Sequence, residues 1–198
     1  KVDISGLDFE RIEQEFLKLG DKKNVAVQSL KDRVAQKLNR MLAQNPYRID
    51  YYERYQRIIE AYNTGKEYRS IKEIFDQLAQ LYGDLNEEEK RAVKEDLNED
   101  ELAVFDMLGR DKKISDKEKA AVKEIAKQLL AQLQANEFRV ARWMDKVQTA
   151  AAVRQVVNDY LFEHLPYPTY DEQDISIKTD LLYNFFRSRY IGVKGTAA

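Results

Sequence analysis

Apolar residues recur at helical spacing along nearly the whole chain. Leu30, Val34, Leu38 and Met41, for example, follow one another at intervals of three or four residues, which places them on one face of a helix. No stretch shows the strict apolar–polar alternation that indicates a half-buried strand. The pattern therefore predicts an all-α fold, a multi-helix bundle of about eight or nine helices in one or two lobes. The predicted helices cover residues 8–19, 22–44, 46–63, 67–82, 87–96, 99–108, 116–135, 138–164 (either continuous or broken) and 172–190.

Capping residues and glycines mark where these helices begin and end. Asn45 before Pro46 is typical of a helix start, because proline at the first helical position needs no donor. Three further starts have the capping-box spacing, in which Asn or Ser stands three residues before Glu: Asn86 with Glu89, Asn98 with Glu101, and Ser115 with Glu118. Four interior glycines each follow a helical run and predict left-handed caps at its end, namely Gly20, Gly65, Gly83 and Gly109.

The ends of the chain and one acidic segment suggest the domain boundaries. Residues 1–6 and 191–198 resemble tails, and a start without Met predicts that the chain is cut from a longer one. Between the tails we predict one helical domain, 7–190, with lobes at 7–83 and 110–190 joined by acidic residues 84–109 as the alternative arrangement. Nine acids face three bases within 84–101. We interpret this run as a solvated face, with repulsion of DNA or docking of a basic partner as the other hypothesis.

Composition removes several classes of function. The 198 residues carry 33 Lys and Arg against 35 Asp and Glu, so the whole chain lacks the basic excess of a typical nucleic-acid binder. Cysteine is absent, which excludes thiolate metal sites and disulfides and fits the reducing cytoplasm. The one histidine, His164, stands at a predicted helix end. This position favours an interaction with the helix dipole, or plain exposure, over a catalytic role. Without a phosphate-binding glycine motif as well, the sequence predicts no catalytic, cofactor-binding or metal site.

Basic and aromatic residues coincide in one segment. Residues 22–66 hold ten Lys and Arg against four acids, and the tyrosines of 46–63 share one side of their helix. Arg54 and Arg57 fall on the opposite side, whereas Arg48 lies among the rings. Stacking on bases while neutralising phosphates requires both residue types on one face. The pattern therefore favours a packed tyrosine face, with nucleic-acid contact through Arg48, Tyr51 and Tyr55 as the alternative.

Five sequence blocks carry a resemblance to a known family. In order along the chain they are NPYRIDYYERYQRIIEAYNTG, LNEEEKRAVKEDLNEDELAVFDML, ISDKEKAAVKEIAKQLL, WMDKVQTAAAVR and DLLYNFF. From about Leu7 to Tyr190 the chain resembles the C-terminal helical region of the restriction (R) subunit of type I restriction–modification enzymes. The resemblance implies a parent with a Mg-dependent nuclease domain and ATP-driven motor domains that translocate DNA, and no cofactor in this chain. It also implies docking onto the methyltransferase (M) and specificity (S) subunits and access to DNA through the complex. No apolar run approaches the roughly 20 residues that span a bilayer, so the sequence predicts no contact with a membrane.

The resemblance also selects the block that begins at Trp143. Residues that match the family here include Trp143, Lys146 and Arg154, whereas Met144 and Asp145 stand where basic residues are expected. Burial of Trp143 and Val147 in the core is the alternative interpretation.

Two functions follow from these observations. The first is a non-catalytic assembly domain that docks the translocase and endonuclease onto the methyltransferase–specificity core. The alternative is a DNA-contacting helical module beside the motor, supported by the basic segment 22–66. The candidate contact residues for either are Arg48, Tyr51, Tyr55, Trp143, Lys146 and Arg154.

Overall fold

All regular structure in the described part of the chain is helical. The computed structural model describes residues 16, 23–64, 71–140 and 142–190, and no strand occurs among them. The predicted all-α fold is confirmed. The predicted helix 8–19, except Phe16, and both predicted tails lie outside the described residues.

The helices fall into two compact units, one within residues 1–94 and one within 95–198. Unit 1 contains α1 (Lys23–Gln44), α2 (Ile49–Thr64), α3 (Ile71–Glu89) and the short α4 (Arg91–Lys94). Unit 2 contains α5 (Glu99–Gly109), α6 (Asp116–Ala135), α7 (Val147–His164) and α8 (Glu172–Arg189). The boundary between the units falls inside the acidic segment 84–109, but much of that segment is helical: residues 84–89 continue α3 and residues 99–109 form α5.

In unit 1 the core lies between α1 and α3, and α2 packs against both helices. The stripe predicted from the sequence points inward, since Leu30, Val34 and Leu38 are all buried. Phe16 is buried as well, and its ring stacks on Phe75 with the centroids 4.0 Å apart. Burying aliphatic and aromatic side chains of this size contributes roughly 1.5–3 kcal/mol each, which makes this layer the main source of stability in the unit.

In unit 2 the central helix is α5, whose residues 102–109 are all buried. A helix that is apolar on every side needs neighbours all round, and α6 and α8 both pack against it. Its C-terminal carbonyls, which have no partner inside the helix, are bonded by side chains from the end of the chain. Lys178 Nζ donates to the Met107 carbonyl at 2.7 Å, and the Tyr170 hydroxyl donates to the Leu108 carbonyl at 3.1 Å.

Helix starts are as predicted at Asn45, Asn98 and Ser115, whereas the start predicted at Asn86 does not occur because Asn86 lies inside α3. Asn98 and Ser115 each form a complete capping box with the glutamate three residues later. Asn45 accepts a hydrogen bond from the Tyr47 N–H at 3.0 Å and begins a short 3-10 turn, Pro46–Arg48, that leads into α2.

Helix boundaries between 83 and 96 were wrong. Gly83 and Asn86 lie inside α3, which continues to Glu89. The buried stripe Leu78, Leu81, Leu85 runs past the glycine. Its burial outweighs the cost of about 1 kcal/mol for glycine inside a helix. The predicted helix 87–96 therefore does not form as one element.

The predicted left-handed glycine caps were wrong wherever the structure describes them. Gly109 ends α5 without a left-handed φ, and a Cβ added there would lie 3.2 Å from Ile114 Cδ1, so a larger residue would require a small shift of the Ile114 side chain. The left-handed residues in the described chain are Asp96 and Arg142, with φ of 56° and 55°. Gly20 and Gly65 lie outside the described residues.

The predicted helix 138–164 is broken. Two 3-10 turns, Glu137–Arg139 and Trp143–Asp145, precede α7.

Candidate functional site

The tyrosine face of α2 lies against the core of unit 1. Tyr51 and Tyr55 are half-buried and pack on that core, together with Tyr52 and Tyr62. Burial raises the pKa of the Tyr55 hydroxyl above its ordinary value. The rings therefore serve packing at the rim of the core, where a ring is covered while its hydroxyl remains near water.

Arg48 is buried rather than exposed beside the rings. Its side chain is 1% exposed, and Nε donates to Glu88 Oε1 at 3.0 Å, with Glu88 itself 8% exposed. Nη1 is also 3.5 Å from the Met41 carbonyl. In this position the guanidinium joins the end of α1 to the end of α3 and does not reach the surface.

Other cations of the basic segment also face the acidic end of α3. Arg54 Nη1 lies 2.5 Å from Asp84 Oδ2, and Glu89 accepts from both Lys37 and Arg40. The acids of 84–89 therefore neutralise much of the basic segment instead of forming only a solvated face. The sequence shows both charge runs but not that they meet.

Tyr51 lines an open groove between α2, α3 and α4 of about 440 Å³. The groove also presents three cations and three carboxylates, namely Arg54, Arg91, Lys94, Asp84, Glu87 and Glu88. The mixture is balanced in charge, so this groove has no preference for an anion or a cation.

Trp143 is a core residue of unit 2, as the alternative interpretation expected, whereas Val147 is 86% exposed and its predicted burial was wrong. Trp143 is 1% exposed, stacks on Phe138 with centroids 5.5 Å apart, and meets Tyr183 edge-on at 6.3 Å. Phe138 in turn stacks on Tyr190 at 4.5 Å. The Nε1 of Trp143 has no hydrogen-bond partner within the described residues. The ring cannot contact a partner from this position, and its contribution is to anchor the chain just before α7.

Lys146 and Arg154, by contrast, lie on the surface. Lys146 is exposed and directly precedes α7, and Arg154 Nε donates to Asp180 on α8 at 2.8 Å. The six candidate contact residues thus fall into distinct environments in two units: one buried ion pair, two half-buried rings, one buried ring and two exposed cations.

A surface that sequence reasoning missed lies on the outer side of α7. Val153, Val157 and Leu161 face the core, and the opposite arc of about 100° is exposed. We call this arc the α7 outer face and define it by Gln148, Ala151, Ala152, Gln155, Asp159 and Phe162. Asp159 is its one charged member and accepts a hydrogen bond from Gln155 at 2.7 Å. The detectable signal was the presence of Ala151, Ala152 and Phe162 on the side of the helix opposite its buried valines, where a surface helix is normally polar.

Two aromatic side chains at the end of α7 and in the turn after it are also exposed. Phe162 is 63% exposed, and Tyr167, in the turn after α7, is 85% exposed. His164 ends α7, where its ring stacks on Tyr160 with centroids 4.1 Å apart and its Nδ1 lies 2.9 Å from the Tyr160 carbonyl. His164 therefore sits at the helix C-terminus, as predicted.

The described residues contain neither a cluster of metal ligands nor a helix suited to a membrane. No group of three or more His, Cys, Asp or Glu side chains among them could hold a metal ion. None of the helices within the described ranges has the length and apolar character that crossing a membrane requires.

Comparison with known proteins agrees with the resemblance drawn from the sequence blocks. Residues 1–179 match the family model described as type I restriction enzyme HindI endonuclease subunit-like, C-terminal. No curated protein and no solved structure matches the chain. The chain belongs to the family of C-terminal regions of type I restriction enzyme HindI endonuclease subunit-like proteins.

Proposed function

We propose that this chain is a non-catalytic assembly domain of a type I restriction enzyme R subunit. It docks the ATP-dependent translocase and endonuclease onto the methyltransferase–specificity core. The observation that carries the proposal is the α7 outer face, a long exposed helix surface with one charge among six residues and an exposed Phe162.

The composition of this face suits a protein partner. The buried cores of protein interfaces are depleted in charged residues and enriched in aromatic ones. Gln148, Ala151, Gln155 and Phe162 follow at intervals of three, four and seven residues, which is the spacing of anchors when a helix lies in a groove. From the first to the last of them the helix rises about 21 Å, enough for four turns of contact. The alanines allow a partner helix to approach closely, and Phe162 with Tyr167 supplies aromatic anchors.

The partners we propose are the M and S subunits, with DNA reached through the assembled complex. ATP and Mg²⁺ would be used by motor and nuclease domains of the parent and not by this chain. Such a complex works on DNA in the cytoplasm, which is where we place the protein.

The test uses the full-length R subunit and its methyltransferase core. Ala151→Glu combined with Phe162→Ala puts a charge into the centre of the face and removes its aromatic anchor. A central hot spot contributes 2 kcal/mol or more, so Kd for the core should rise at least about 30-fold. Ala131→Glu, at an exposed position on α6, adds the same charge to unit 2 and should leave Kd unchanged.

Two results would contradict the proposal at different levels. If the double variant binds the core as the wild type does, docking does not use the α7 outer face. If an R subunit that lacks this whole chain still binds the core with unchanged affinity, the docking function itself is wrong.

A further inference from the structure

Acidic side chains border the C-terminal half of the α7 outer face. Residues 155–164 carry two carboxylates, Asp159 and Glu163, and no lysine or arginine, and both carboxylates are exposed. Asp159 accepts a hydrogen bond from the neutral amide of Gln155 at 2.7 Å, which leaves its negative charge in place. Lys146 stands at the other end of α7, about 20 Å along the helix axis from Asp159. Salt screens exposed charges at that distance, so Lys146 does not offset the acids.

These carboxylates lie on the side of the α7 outer face that is nearer to α6. On a helical wheel Asp159 and Glu163 fall about 20° and 60° from the centre of the face, on the same side as Tyr160. The Tyr160 hydroxyl donates to Gln128 Oε1 on α6 at 2.9 Å, and Gln128 Nε2 donates to Glu124 Oε1 at 2.5 Å. Burial raises the pKa of the Tyr160 hydroxyl, and the nearby carboxylates of Glu124 and Glu163 raise it further. The acidic flank therefore extends from α7 onto α6.

The cations beside this surface have other partners. Arg154 lies on the opposite flank of α7 and pairs with Asp180 on α8 at 2.8 Å. On α6, the Lys127 ammonium bonds to Asp96 at 2.8 Å, and this bond is the main cause of its raised pKa, to which Glu124 adds less. One flank of the α7 outer face is thus neutral and the other is negative.

We propose that the segment of the methyltransferase–specificity core that docks on the α7 outer face is a basic amphipathic helix. This inference rests on the proposed function. The helix places its apolar side over Ala151, Ala152 and Phe162, and lysine or arginine side chains along the edge that lies beside α6. Asp159 and Glu163 are one helical turn apart, about 6 Å along the axis, so two cations three or four residues apart on the partner helix can meet them.

The chemistry of the surface favours this occupant over other segments. The alanines allow a second helix to approach to an interaxial distance of about 8–10 Å. An extended segment binds by adding a strand to a sheet edge, and the helices of unit 2 offer no such edge. Carboxylates on one flank repel both an acidic helix and the phosphates of nucleic acid. An apolar centre with charged residues at its border is also the usual anatomy of a protein interface.

The test measures Kd between the full-length R subunit and its methyltransferase core, without DNA, at about 50 mM and about 300 mM salt. Asp159→Asn with Glu163→Gln removes both charges and keeps the shapes of the side chains. An exposed ion pair contributes a factor of about 1.5 to 5 in affinity, so Kd should rise roughly two- to thirtyfold at the lower salt concentration. The rise should be smaller at the higher concentration, because salt screens exposed pairs. Asp159→Lys with Glu163→Lys should weaken binding further, since attraction becomes repulsion.

Two other variants separate this effect from its alternatives. Glu53→Gln with Glu60→Gln removes the same charge from exposed positions on α2 and should bind as the wild type does. Phe162→Ala removes an apolar contact and should raise Kd by a similar factor at both salt concentrations, because screening does not affect that contact. Thermal unfolding of each variant shows whether a loss of binding reflects a loss of folding.

The outcomes distinguish this inference from the docking function. If Phe162→Ala weakens binding while Asp159→Asn with Glu163→Gln leaves it unchanged or tightens it, docking stands and the partner segment is not basic. An equal loss in the α2 control would show that overall charge is responsible, which also overturns the inference. If neither Phe162→Ala nor the neutralised variant changes Kd, docking does not use the α7 outer face, and the inference fails together with that part of the proposed function.

Discussion

The buried ion pair between Arg48 and Glu88 should make a large contribution to the stability of unit 1. Removing one partner of such a pair typically costs 3–5 kcal/mol, because the remaining charge stays buried without compensation. After Arg48→Met, the Glu88 carboxylate would keep the Arg91 Nε at 3.4 Å, from a side chain 32% exposed. This residual partner places the expected loss at the lower end of the range, about 3 kcal/mol.

Urea unfolding followed by far-UV circular dichroism measures this loss. Arg57→Met, which removes an exposed arginine from α2, should change the free energy of unfolding by less than about 0.5 kcal/mol. The double variant Arg48→Met with Glu88→Leu removes both charges and should be more stable than Arg48→Met alone, since no buried charge remains. Trp143 fluorescence reports on unit 2 and serves as a second signal in the same samples.

Two results would refute this reasoning. Arg48→Met should be clearly less stable than Arg57→Met, so equal stabilities of these two variants would show that the pair contributes little. If the double variant loses the sum of its two single losses, the two side chains do not interact.

Three further predictions concern unit 2 and share the tryptophan signal. Tyr170→Phe removes the hydrogen bond to the Leu108 carbonyl and should lower the free energy of unfolding by about 1 kcal/mol, and an unchanged value would show that this bond is dispensable. Asn98→Ala removes the side-chain cap of α5 and should also cost about 1 kcal/mol, whereas Asn98→Ser, which keeps a cap, should recover most of it. Hydrogen bonds from Ser115 and Thr169 lower the pKa of Glu118 from 4.5 to about 2, so its contribution is complete above pH 4.5 and is lost as the pH falls towards 2. The urea midpoint should therefore decrease with acidification in this range, and Glu118→Gln should reduce that decrease; an identical pH profile would contradict the assignment.

For the fold, the sequence predicted several features that depend on neighbouring residues. The capping boxes at Asn98 and Ser115 each involve four consecutive positions and form as their spacing predicts, whereas Asn86 with Glu89 has the same spacing but lies inside α3. The buried face of α1 likewise follows from apolar spacing. Tertiary packing decided that α3 continues through Gly83, because burial of Leu81 and Leu85 outweighs the local preference of glycine. Within the described residues the left-handed positions are Asp96 and Arg142 rather than the predicted Gly83 and Gly109, and the spacing of the sequence did not indicate them.

For the candidate sites, the sequence gives residue types but not their partners. It separated Arg54 from the tyrosines by helical geometry, yet the partner of Arg48 lies 40 residues away and is brought near only by the packing of α3. The α7 outer face could not be predicted from the sequence for a related reason. A helix with apolar residues on both sides does not indicate which side is covered, and that choice is made by the packing of α7 on α8 and α6. Hydrogen bonds between near neighbours can be predicted from spacing where packing leaves a helix start at that position, whereas ion pairs and exposed faces depend on which surfaces the folded chain brings together.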